Sequence, residues 1–91
     1  MEVLDGFNIW SLLMMRYKSP IISLEQIIND YFPHFTIASA NKRAAKQDFA
    51  FPVFKADSSQ KAPYLVNLAD FARYLDEESR KSKLDWQNMH R

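Results

Sequence analysis

Between residues 39 and 47 the chain carries Ser39, Asn41, Lys42, Arg43, Lys46 and Gln47, and no acid follows until Asp48. These side chains bring donors and positive charge to one short stretch. Arginine pairs bidentately with a guanine edge, asparagine and glutamine with adenine, and lysine neutralises phosphate. A second set, Lys55, Ser58, Ser59, Gln60 and Lys61, offers donors suited to phosphate oxygens or a minor groove. Both sets fit one chemistry, contact with a polyanion. The plainer reading of the first set is a solvated helix face, but such faces usually mix both signs of charge. The plainer reading of the second is a polar loop, and by itself it says little.

The formal net charge is only +1, yet its distribution is uneven. From Met1 to Ala40 four acids (Glu2, Asp5, Glu25, Asp30) face two bases (Arg16, Lys18), giving −2. From Asn41 to Lys61 five bases (Lys42, Arg43, Lys46, Lys55, Lys61) face two acids (Asp48, Asp57), giving +3. From Ala62 onward five acids balance five bases. Phosphate contacts need local cations rather than a basic whole protein.

Other chemistries find little support. There is no cysteine, which removes disulfides and thiolate metal sites. His34 and His90 are too distant in sequence to suggest a metal pair, and His34 reads as a turn or packing residue. Ser58 and Ser59 have no well-placed histidine base, and a single glycine precludes a glycine-rich phosphate loop. Glu77-Glu78 lies in a polar tail, where solvated charge is the ordinary role. No catalytic residue, metal or cofactor is expected. The N-terminal apolar run is short and flanked by Glu2 and Asp5, so neither a signal peptide nor a membrane span is expected, and a cytoplasmic location is.

The elements that must position these residues follow from caps and periodicity. Ninety-one residues are room for one domain. A first helix is expected from Asn8 to about Tyr17, broken by Lys18-Ser19-Pro20; its continuous apolarity also fits a buried strand. Ser23 with Gln26 forms a capping-box pattern, flanked by Ile22 and Ile27 as a staple. Leu24, Ile27, Ile28 and Tyr31 then make one apolar stripe, and this second helix ends at Phe32-Pro33. Thr36 caps a third helix expected from Ile37 to about Asp48. Ile37, Ala40 and Ala44 form its packing side, and Ser39, Lys42, Arg43 and Lys46 its polar one. Phe49, Phe51 and Val53 alternate into Lys55, predicting a strand that Pro52 places at an edge. A longer loop should lead to a second strand at Tyr64-Leu65-Val66. Asn67 caps the last helix, with Leu68, Phe71, Ala72 and Leu75 on its core face and Val66 against Phe71 as a staple. Residues 77–91 read as a charged C-terminal helical extension or tail, with Leu84 and Trp86 as contacts available to a partner.

The order helix, turn, basic helix, hairpin, helix predicts a mainly α fold with a small β-hairpin, a winged helix-turn-helix. Several runs carry a family resemblance: Leu12-Leu13-Met14-Met15-Arg16-Tyr17, Asp30-Tyr31-Phe32, and Phe51-Pro52-Val53-Phe54. The most specific is Asp57-Ser58-Ser59-Gln60-Lys61-Ala62-Pro63-Tyr64-Leu65-Val66, followed by Leu68-Ala69-Asp70-Phe71-Ala72-Arg73-Tyr74-Leu75-Asp76. From Leu12 to Asp76 the sequence resembles the pyocin activator family, and more distantly excisionase and MerR-type winged helices. It departs where Ala50-Phe51-Pro52 replaces a more usual Leu-Pro, and where Lys55 stands in a position often taken by arginine.

The resemblance implies a transcriptional activator of bacteriocin or phage genes. Lys42, Arg43 and Lys46 would then lie on the recognition helix and Ser59, Gln60 and Lys61 in the wing. Residues 1–76 form the DNA-binding domain under this reading, and 77–91 lie outside the match. Double-stranded DNA is the expected partner, with RNA polymerase beside it and a homodimer or multimer on the DNA. One alternative uses the same fold differently, as an excisionase-like factor that bends DNA; a second, from another class, is a small phage protein-binding inhibitor with the tail and Trp86 as its contact.

Overall fold

The computed structural model describes residues 8–90. Helix α1 spans Ile9–Tyr17, strand β1 Ile21–Ser23, α2 Leu24–Tyr31 and α3 Ile37–Ala45. Strands β2 (Phe54–Lys55) and β3 (Tyr64–Asn67) follow, and α4 runs over Leu68–Met89. Each helix starts on the cap its sequence provides. Asn8, Ser23, Thr36 and Asn67 accept hydrogen bonds from the backbone N–H groups of Ser11, Gln26, Ser39 and Ala69. α1 closes on Lys18, whose N–H still bonds the Met14 carbonyl and whose left-handed backbone (φ 57°) then turns the chain out of the helix.

Strand β1 was not expected from the sequence. It pairs antiparallel with β3, Ile22 opposite Val66, while β2 pairs with the other edge of β3, Phe54 opposite Leu65. The expected hairpin is therefore part of a three-stranded sheet in the order β1-β3-β2. β2 is an edge strand, as expected, but Pro52 lies before it rather than within it. The strand expected over Phe49–Lys55 is, however, paired only at its last two residues. Phe51 and Val53 still point inward, buried at 4% and 3% exposure. The alternation thus marked burial correctly without implying a ladder.

The capping box at α2 is half-formed. Ser23 Oγ accepts from the Gln26 N–H, but the Gln26 side chain turns forward and its Nε2 donates to Asp30 at 3.2 Å. Ser23 belongs to β1, whose pairing with β3 orders the chain entering α2. The α2 stripe is as expected: Leu24, Ile27 and Ile28 are buried and Tyr31 is partly so. α3 ends at Ala45, three residues before the expected Asp48, because Gln47 turns to positive φ (52°). Its N–H bonds the Ala44 carbonyl and that of Asp48 the Arg43 carbonyl, closing the last turn.

The core lies where α2, α3 and the sheet meet α4. Phe71 is fully buried at its centre, edge-on to Tyr31 and Phe51 with ring centroids 5.0 and 5.1 Å away. Phe32, Phe35, Phe49 and Tyr74 extend this aromatic cluster between the helices. α1 packs against α4 and is tied to α2 through Asp30. The Tyr17 hydroxyl donates to that carboxylate at 2.5 Å, and Arg16 approaches it at 3.4 Å. The hydrogen bonds from Tyr17 and Gln26 favour the charged carboxylate and hold Asp30 below the usual carboxylate range, while burial pushes the Tyr17 phenol up.

Candidate nucleic-acid interface

A cleft of about 480 Å³ separates α3 from the β2–β3 hairpin. The helix contributes Ile37, Asn41, Lys42 and Ala45; the hairpin contributes Lys55, Gln60, Lys61 and Tyr64. The floor is the first turn of α2, where Glu25 is, among the described residues, the cleft's one acid against three lysines. Five of the residues singled out from sequence, Asn41, Lys42, Lys55, Gln60 and Lys61, thus converge from two elements on one groove.

The open face of α3 differs from the stripe expected of it. Ala38, Asn41, Lys42 and Ala45 are exposed and lie on successive turns of one side. Two of them are alanines, so a second molecule can come close to the helix backbone there. Ser39 is half-buried and occupied locally, its Oγ donating to the Thr36 carbonyl at 3.1 Å. Lys46 is exposed just past the helix end.

Arg43 and Gln47 have structural engagements. The Arg43 guanidinium lies over the rings of Phe35 and Phe49, 5.0 and 5.5 Å from their centroids. One terminal nitrogen donates to the Asp48 carbonyl at 3.3 Å, and Nε is buried with no partner. Gln47 donates through Nε2 to the Val53 carbonyl at 3.1 Å, fastening the end of α3 to the strand that leads into the hairpin.

The hairpin loop covers residues 56–63. Its tip is shaped by its own side chains. Asp57 Oδ1 accepts from the Ser59 N–H at 2.7 Å, and Ser59 Oγ accepts from the Lys61 N–H at 3.2 Å. Lys55 reaches back across the loop to the carbonyls of Ser59 and Gln60 at 3.4 and 3.5 Å, with its ammonium 4.8 Å from the Tyr64 ring centroid. Lys55 therefore braces the loop, while Ser58, Gln60 and Lys61 remain exposed. Among the described residues, Lys42, Lys46 and Lys61 enter no salt bridge.

Glu25, Pro63 and Tyr64 also line the cleft and were not singled out from the sequence. Only the Pro63-Tyr64 pair carried a signal, an extended step just before β3. Glu25 carried none, since its place depends on how α2 packs beneath the hairpin.

A helix, a strand, two helices joined by a short turn, then a hairpin forming a three-stranded sheet with the first strand: this is the winged helix-turn-helix architecture, with β2–β3 as the wing. The chain belongs to the family described as Pyocin activator protein PrtN, whose family model matches residues 10–82. No curated protein and no solved structure matches it. The family is one of regulatory activators. Among the described residues, no helix is long and apolar enough to cross a membrane.

Proposed function

We propose that this protein is a sequence-specific double-stranded DNA-binding transcriptional activator of pyocin, phage or prophage genes. The open side of α3 enters the major groove, with Asn41 and Lys42 facing base edges and the exposed alanines Ala38 and Ala45 permitting close approach. The wing lies on the flanking backbone, where Ser58, Gln60 and Lys61 meet phosphate or the adjacent minor groove, and Lys46 meets phosphate beyond the end of α3. Ser39 and Ser59 fix the local backbone from which these groups project. Arg43, Gln47 and Lys55 hold α3 and the wing at their separation. Activation adds RNA polymerase as the second partner, met once the protein is seated on a promoter.

The single observation that carries this reading is the convergence of Asn41, Lys42, Gln60 and Lys61 from two elements on one cleft whose only acid among the described residues is Glu25. Selection of bound duplexes from a random DNA pool tests it directly. Enrichment of a discrete motif is expected, and a promoter carrying that motif should respond to the protein in a reporter assay. A pool that remains random after several rounds would remove sequence-specific DNA binding. Excision of a recombination substrate without promoter activation would replace activation with DNA architecture.

A further inference from the structure

Helix α4 is much longer than the domain beneath it. At 22 residues it extends about 33 Å at 1.5 Å per residue, against a molecule measuring 51 × 28 × 18 Å. Its first two turns bury Leu68, Phe71 and Ala72. From Glu78 to His90 every residue is exposed. The same helical face continues in period: after Leu68, Phe71, Ala72 and Leu75 come the small Ser79 and Ser82 and then the large apolar Trp86 and Met89, spaced by three and four. Trp86 is 61% and Met89 82% exposed. An isolated helical arm of this length is marginal in water, and its i,i+3 pairs, Glu77–Arg80 and Glu78–Lys81, add only tenths of a kcal/mol.

We propose that this arm is a self-association surface, covered by the same arm of a second copy running antiparallel. Size decides the direction. Parallel pairing in register would set Trp86 against Trp86 and serine against serine. Antiparallel overlap centred beside Ser82 sets each Trp86 over Ser79 and Ser82 of the other copy, large against small.

Charge selects the occupant. From Glu77 to Met89 three acids (Glu77, Glu78, Asp85) balance three bases (Arg80, Lys81, Lys83), so the arm suits neither a polyanion nor a strongly acidic or basic protein surface. In the antiparallel overlap Asp85 of each arm comes beside Lys81 of the other. Lys83 meets its own counterpart near the crossing, where its long stem can carry the charge outward to solvent. The arm lies outside the α3–wing cleft, so its pairing stands or falls independently of DNA binding.

The full chain at roughly 100 μM, where a dimer of about 1 μM Kd is mostly formed, should sediment near twice its 10.7 kDa mass. Trp86→Lys should sediment as the monomer at that concentration and keep a cooperative thermal unfolding transition, losing at most the arm's share of the helical circular dichroism, since Trp86 makes no core contact. The chain has no cysteine, which permits a second readout. Ser82→Cys should oxidise to a disulfide-linked dimer, and Leu84→Cys, on the opposite side of the arm, should not. A monomeric wild type, a Trp86→Lys variant that remains dimeric, or cross-linking through position 84 in preference to 82 would each overturn the proposal.

Discussion

Arg43 shows how a residue's chemistry and its location can point to different roles. Its type and its place among Lys42 and Lys46 suggested a guanine reader. Folded, its guanidinium rests on Phe35 and Phe49 and bonds the Asp48 carbonyl. Periodicity along one helix cannot foretell this, because Phe35 precedes α3 and Phe49 follows it. Lysine keeps the charge but lacks the planar group that stacks on both rings. Arg43→Lys should therefore lower stability by about 1 kcal/mol, the scale of a partly desolvated cation–π contact, as measured by urea unfolding. Its preference among DNA sequences should stay that of the wild type. Unchanged stability with altered base preference would return Arg43 to the role of reader.

At the scale of elements, the legible features were those governed by local chemistry. Asn8, Ser23, Thr36 and Asn67 are all caps, and the stripe of α2 and the start of α4 lie where their spacing put them. The features that escaped are set by distant partners. Ile21–Ser23 is a strand only because β3 offers it an edge, and three residues carry too little alternation to announce that. α3 stops at Ala45 because Gln47 turns to bond Val53, six residues on. The joint cleft was legible as two sets of donors, but not as a meeting of Lys42 with Lys61, which depends on the wing folding back toward α3. The α3 cap can be tested alone. Thr36 Oγ1 accepts from the Ser39 N–H at 3.1 Å. Thr36→Ala should cost about 1 kcal/mol, and a thermal melt should show a fall of roughly 4–8 °C for a domain of this size. A melt within one degree of wild type would mean that packing, rather than the cap, fixes the start of α3.

Across the whole molecule the charges are sorted by task. The arm is internally neutral, Arg16 is paired with Asp30, Arg43 and Lys55 are hydrogen-bonded to backbone carbonyls, and among the described residues Lys42, Lys46 and Lys61 are in no salt bridge. A net charge of +1 hides this sorting, which is why affinity for DNA should be steep in salt despite a nearly neutral chain. Each neutralised phosphate contributes about −0.9 to the slope of log K against log salt, so the two phosphate-facing lysines, Lys46 and Lys61, predict a slope of about −2 for one copy and roughly −4 for a pair. Fluorescence anisotropy with the selected duplex, titrated between roughly 50 and 200 mM salt, separates the two cases. Lys61→Ala should flatten the slope by about one per bound copy, while Lys83→Ala, on the arm, should leave it unchanged. A slope shallower than about −1 would place the DNA elsewhere than between α3 and the wing, whatever motif the selection returned.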